Sequence, residues 1–100
     1  MTASLFRKIV YNYLELPLEQ RARLSTDYIV ALGELTGQSY SSVLLTLGIY
    51  PGVGSAMKKG KTSLGPRTIQ RTGEVPAKKM GYFSFVEFLE RYAGENDKKH

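Results

Sequence analysis

One hundred residues make one domain of ordinary size, 42% hydrophobic and 23% charged, able to bury a modest core unaided. The chain has no cysteine, which excludes disulfides and thiolate zinc sites. Its single histidine is the last residue, His100, so histidine-based catalysis and most transition-metal sites are excluded too.

The predicted elements are all helical. Residues 4–16 carry Leu5, Phe6, Ile9, Val10, Tyr13 and Leu14 at the three-and-four spacing that gathers them on one face. Pro17 stops that helix and suits the first turn of the next, with Glu19 near its positive end. Leu24, Tyr28, Ala31, Leu32 and Leu35 form the second stripe, closed by a cap at Gly37, and Gly33 within it could allow a close helix crossing. A short third helix is expected from Ser39, as N-cap, to Leu47, ended by Gly48. A fourth runs from Pro51 to Lys59 and stops at Gly60; Pro66 opens a fifth, through about Thr72. The stretch Gly73 to Gly81 reads as irregular or extended. Ser84 and Glu87 then form a capping-box pattern, with Phe83 and Phe88 placed as a hydrophobic staple, and Gly94 is expected to end this last helix.

Charge is unevenly placed along these elements. The net charge is +5, yet residues 51–80 hold Lys58, Lys59, Lys61, Arg67, Arg71, Lys78 and Lys79 against Glu74 alone. Such a segment is either a phosphate-facing surface or a solvated basic face with no partner. No apolar run approaches the roughly 18 residues that span a bilayer. Met1 to Leu16 has charges inside its apolar pattern and no cleavage-like site, so no signal peptide is expected and the chain reads as soluble and cytoplasmic.

The run GIYPGVGSAMKKGK, Gly48 to Lys61, resembles the turn and recognition helix of the lambda-repressor-like (Cro and repressor) helix-turn-helix proteins. Val43 and Leu47 fall at the apolar positions of the first motif helix, and Pro66-Arg67-Thr68-Ile69 resembles the opening of the helix that follows. Two departures stand out. Leu44 replaces a small alanine, and Gly54 replaces a bulky β-branched residue; in the family these positions touch, so the exchange roughly conserves volume. The recognition positions also lack any Arg, Asn or Gln for a bidentate base contact. The physics of such a motif is consistent with these residues. Gly48 can take a left-handed corner, and Val43, Leu47, Ile49 and Met57 would face the core. The second helix is then left free for a major groove. The resemblance implies a DNA-binding regulator of a prokaryote or mobile element, with Tyr50, Val53, Ser55 and Ala56 near the bases and Lys58, Lys59, Lys61, Arg67 and Arg71 on phosphates.

Other readings are weaker. Gly60-Lys61-Thr62 ends like a phosphate-binding loop, but Ser55 stands where its first glycine should be, and no parallel sheet is expected. Glu87 and Glu90 lie one turn apart, a spacing that on a surface helix usually means solvated charge. Ser55 and Ser84 have no histidine partner for nucleophilic catalysis. Most of the aromatic residues fall on helical stripes and belong to the core. The cluster Tyr82, Phe83, Phe85, Phe88 and Tyr92 exceeds what one helix buries alone, and its remainder is expected to form a homodimer contact.

The sequence therefore predicts an all-α, compact five- to six-helix domain over residues 1–94, followed by a disordered tail at 95–100. It contains a helix-turn-helix, an added N-terminal helix and an aromatic C-terminal helix. The expected partners are double-stranded DNA and a second copy of the chain, with no membrane, no cofactor, no metal and no enzymatic activity. Two alternatives are kept open: a protein-interaction module (an antitoxin or inhibitor component) whose basic face docks an acidic protein partner, and a non-specific nucleic-acid-binding protein.

Overall fold

The computed structural model describes the backbone of residues 2–98 and the side chains of all but 75, 76 and 93–98 within that range. Among the described residues there are seven helices and no strand: α1 (Ala3–Leu14), α2 (Leu18–Thr36), α3 (Tyr40–Thr46), α4 (Pro51–Lys58), α5 (Pro66–Thr72), α6 (Val75–Lys79) and α7 (Phe85–Lys98). None is long and apolar enough to cross a membrane. The radius of gyration, 13.0 Å, is that of a close-packed chain of this length.

The long α2 is the hub. It packs against α3 and α4 on one side and α7 on the other, while α1 and α5 also lean on α7. Pro17 is the N-cap of α2 rather than its first helical residue, and Gly37, at φ 70°, ends it. The expected stripe is only part of what α2 buries: Leu24, Tyr28 and Leu32 are in the core, but so is Ile29, because the helix is enclosed from two sides, and Leu35 is 60% exposed. A Cβ on Gly33 would stand 2.6 Å from the Gln38 carbonyl oxygen and 3.7 Å from Val43 Cγ2. The close approach there is therefore made mainly by the chain returning from the Gly37 turn. On α1 the stripe is likewise thinner than expected. Tyr13 is buried and Ile9 and Val10 half-buried, but Leu5, Phe6 and Leu14 are exposed, since α1 lies at the edge of the bundle.

Polar groups tie the helices together at two places. Tyr13 donates its hydroxyl to the Leu64 carbonyl (3.0 Å) and lies 3.0 Å from Ser25 Oγ, which in turn accepts from the Leu64 amide (3.0 Å). Thr72 Oγ1 donates to the Ile69 carbonyl (2.7 Å) and accepts from the Phe85 amide (3.0 Å), joining α5 to the start of α7. Around this joint Phe85 meets Tyr13 and Tyr28 edge-on, at ring separations of 5.0 and 5.1 Å.

Two expectations are corrected. The count of five to six helices becomes seven, because the stretch read as irregular, Gly73 to Gly81, contains α6. Glu74 is its extended N-cap and Pro76 sits in its first turn. Gly81, at φ 82°, closes it, with the Tyr82 amide donating to the Ala77 carbonyl (3.0 Å). The residues that looked like loop signals are the two ends of a helix too short to show a period. Second, Gly94 does not end the last helix: α7 continues to Lys98. A glycine weakens a helix interior by about 1 kcal/mol without forbidding it. Lys99 and His100 lie outside the described residues. The aromatic cluster packs largely within the domain: Tyr82 and Phe85 are buried, Phe83 and Phe88 half-buried, and Tyr92 alone of the five is exposed. The capping at Ser84 is as expected, its Oγ accepting from the Glu87 amide at 3.1 Å, and Phe83 stacks on Phe88 with ring centres 6.4 Å apart.

Candidate nucleic-acid interface

Ser39 caps α3, its Oγ accepting from the Ser42 amide at 3.1 Å. At the other end Gly48 takes φ 72°, a left-handed conformation that a Cβ would strain. The Ile49 amide reaches back to the Leu44 carbonyl (2.8 Å) and the Gly48 amide to the Leu45 carbonyl (3.1 Å), which satisfies two carbonyls at the end of α3. Val43, Leu44 and Leu47 before this corner, and Ile49 and Met57 after it, are all buried. The corner is thus fixed by hydrogen bonds within it and by apolar side chains on both sides.

The second helix, α4, sits close to the first because Gly54 has no side chain. A Cβ there would overlap Leu44 Cδ1 and stand 3.2 Å from Cδ2. The Tyr40 hydroxyl crosses from α3 and donates to the Gly54 carbonyl at 2.8 Å. Burial raises the pKa of this phenol above the ordinary value, with the Thr26 hydroxyl opposing. Lys58 lies over the Tyr40 ring, its Nζ 4.0 Å from the centroid.

Turning one face inward leaves the other free. Tyr50 is 80% exposed and Val53 39%, and Pro51, Gly52 and Ser55 are exposed as well, whereas Ala56 is half-buried. Lys58, Lys59, Lys61, Arg67 and Arg71 are all exposed. The expected base-side residues therefore share one short helix with its N-cap, and the three lysines follow at its C-terminal end. Arg71 is placed differently from the others. Its Nη1 donates to the Leu47 carbonyl at 3.4 Å and lies 2.7 Å from where a Cβ on Gly48 would stand, so it braces the glycine corner.

Two contributors were not singled out from the sequence. Tyr40 organises both the helix contact and Lys58, yet its spacing is that of any core aromatic. Arg23, on α2, lines a cleft of about 460 Å³ together with Lys58 and Lys59, and Glu19 and Asp27 line the same cleft. The carboxylates temper the local positive charge, a proximity between α2 and α4 that charge counting along the chain does not reveal. No protein-family model, curated protein or solved structure matches the chain.

Proposed function

We propose that the protein is a DNA-binding transcriptional regulator in which α3, the Gly48 corner and α4 act as a helix-turn-helix, with α4 entering the major groove. The observation that carries this reading is the two-sidedness of α4. Gly54 and Met57 anchor one side in the domain, while Tyr50, Val53 and Ser55 stand outward with Lys58, Lys59 and Lys61 at the end of the helix. Phosphate contacts would come from those lysines and Arg67, and the mechanism is occlusion: a protein seated in the groove excludes polymerase and performs no chemistry. A gel-shift titration against random duplex, single strand and the gene's own upstream region, at two salt concentrations, tests it. The regulator reading expects one duplex to be strongly preferred. Uniform, salt-sensitive binding would instead indicate an architectural nucleic-acid-binding protein.

One observation favours a second reading. The outward residues Leu45 and Val53 are apolar and Tyr50 is an exposed aromatic ring, which also suits a protein-interaction module, and absence of binding to any nucleic acid in the same titration would select it.

A homodimer would let two copies of α4 read two half-sites. The exposed Tyr92 lies at a groove of about 270 Å³ lined by Ala31, Phe83, Phe88, Glu87 and Arg91. Glu87 and Arg91 are one turn apart on α7. An antiparallel, two-fold pairing of α7 with its copy would set each glutamate against the other's arginine around the aromatic centre. A monomer mass that stays constant with concentration, free and on DNA, removes the dimer.

A further inference from the structure

Three glycines stand inside helices α2 and α4, and the fold accounts for two of them. At Gly33 a Cβ would press on the Gln38 carbonyl, and at Gly54 on Leu44. Gly52 is different. It does not take a positive φ, and nothing lies within 4 Å of where its Cβ would stand. Gly52 stands in the first turn of α4, where glycine costs a helix less than in its interior, yet no contact inside the domain calls for a missing side chain there. What the missing side chain removes is relief on the outward surface, which permits close approach of another molecule to the backbone.

The neighbours of Gly52 describe that molecule. Tyr50, Pro51 and Val53 are exposed, and from Tyr50 to Ala56 only the Tyr50 phenol and the Ser55 hydroxyl offer side-chain hydrogen bonds. No guanidinium or carboxamide is present to engage guanine or adenine in a bidentate pair. The major-groove feature that an apolar, low-relief surface can recognise is the C5-methyl of thymine. The exposed cations Lys58, Lys59 and Lys61 at the end of the same helix complement a phosphate backbone, and duplex DNA is the occupant this charge would suit. We propose that α4 reads thymine methyl groups, with Gly52 letting the helix approach closely enough for Val53 and Tyr50 to cover them. The inference rests on the regulator reading and sharpens it to a base and a chemical group.

The test starts from duplexes enriched out of a random-sequence pool by the full chain. The enriched sequence is resynthesised with deoxyuridine in place of thymidine, which removes the methyl groups alone. Affinity is expected to fall about fourfold for each contacted methyl lost. Val53→Ala should shrink the difference between the two duplexes. Gly52→Ala should leave Tm unchanged or slightly raised while weakening binding to the enriched duplex about tenfold, a divergence that a merely structural glycine would not give. Equal affinity for the thymine and uracil duplexes overturns the assignment, and undiminished binding by Gly52→Ala overturns the close approach. A chain that enriches no duplex at all refutes the regulator reading itself, a result distinct from either.

Discussion

Leu44 fills the space that a side chain at Gly54 would need: its Cδ1 overlaps the position of a Cβ there, and its Cδ2 lies 3.2 Å away. A full-sized residue on α3 and an absent one on α4 thus make one contact. Gly54→Val overfills it and is expected to cost roughly 1–3 kcal/mol. Leu44→Ala empties it and should cost about 2–5 kcal/mol. The pair Leu44→Ala with Gly54→Val should cost less than the sum, as read from urea denaturation in a double-mutant cycle. Strict additivity would mean that the two positions do not share this volume.

Gly33→Ala should destabilise the protein even though alanine is the better helix former by about 1 kcal/mol. The new Cβ meets backbone, the Gln38 carbonyl oxygen at 2.6 Å, and backbone cannot rotate aside as a side-chain tip can. The measurement is the thermal midpoint, and a rise would show that the turn after α2 relaxes freely.

Lys59 and Arg71 are both exposed cations, but they should report differently on DNA. Lys59→Ala is expected to weaken binding to all sequences alike and to lower the slope of log affinity against log salt by about one unit. Arg71→Lys retains the charge and loses the planar fork that reaches Leu47. It should leave the salt slope unchanged and reduce stability by about 0.5–1.5 kcal/mol. An anisotropy titration over a salt series and a denaturation curve for each variant distinguish the two.

Alkaline pH should unfold the protein through Tyr28. Burial is the main cause that raises this phenol well above the ordinary value of 10.0, and its hydroxyl donates to the Phe83 carbonyl at 2.6 Å. A folded-state pKa above the unfolded one means that the protonated group's contribution is complete below about pH 10 and is lost as pH rises beyond it. Denaturation midpoints should therefore decline above that pH, and less steeply in Tyr28→Phe, where the group that must ionise is gone. Equal declines in both proteins would assign the loss to other groups.

The boundaries of α3, α4 and α5 were legible because each is punctuated: Ser39 and Gly48, Pro51 and Gly60, Pro66 and Gly73. The four apolar residues expected to hold α3 and α4 in place are buried, and Leu44 packs against Gly54. Five-residue α6 was not legible, since it is shorter than two turns and its Pro76 and Gly81 read equally well as loop. Nor could the sequence separate the helical glycines. Gly33, Gly52 and Gly54 all read as poor helix formers, and only their surroundings show that two answer to packing and one does not. Arg71 was read with the lysines because charge was visible and the Leu47 carbonyl was not.

The segment between α4 and α5 is clamped at Leu64, whose amide and carbonyl are both held by buried side chains from α1 and α2. With the Gly48 corner hydrogen-bonded at its other end, α4 is moored fore and aft. On the proposed reading, a template held in this way would leave the adjustment of shape to the visitor. On duplex DNA, affinity would then rise with how readily a sequence bends or widens to match, adding a mechanical preference to whatever the exposed side chains recognise.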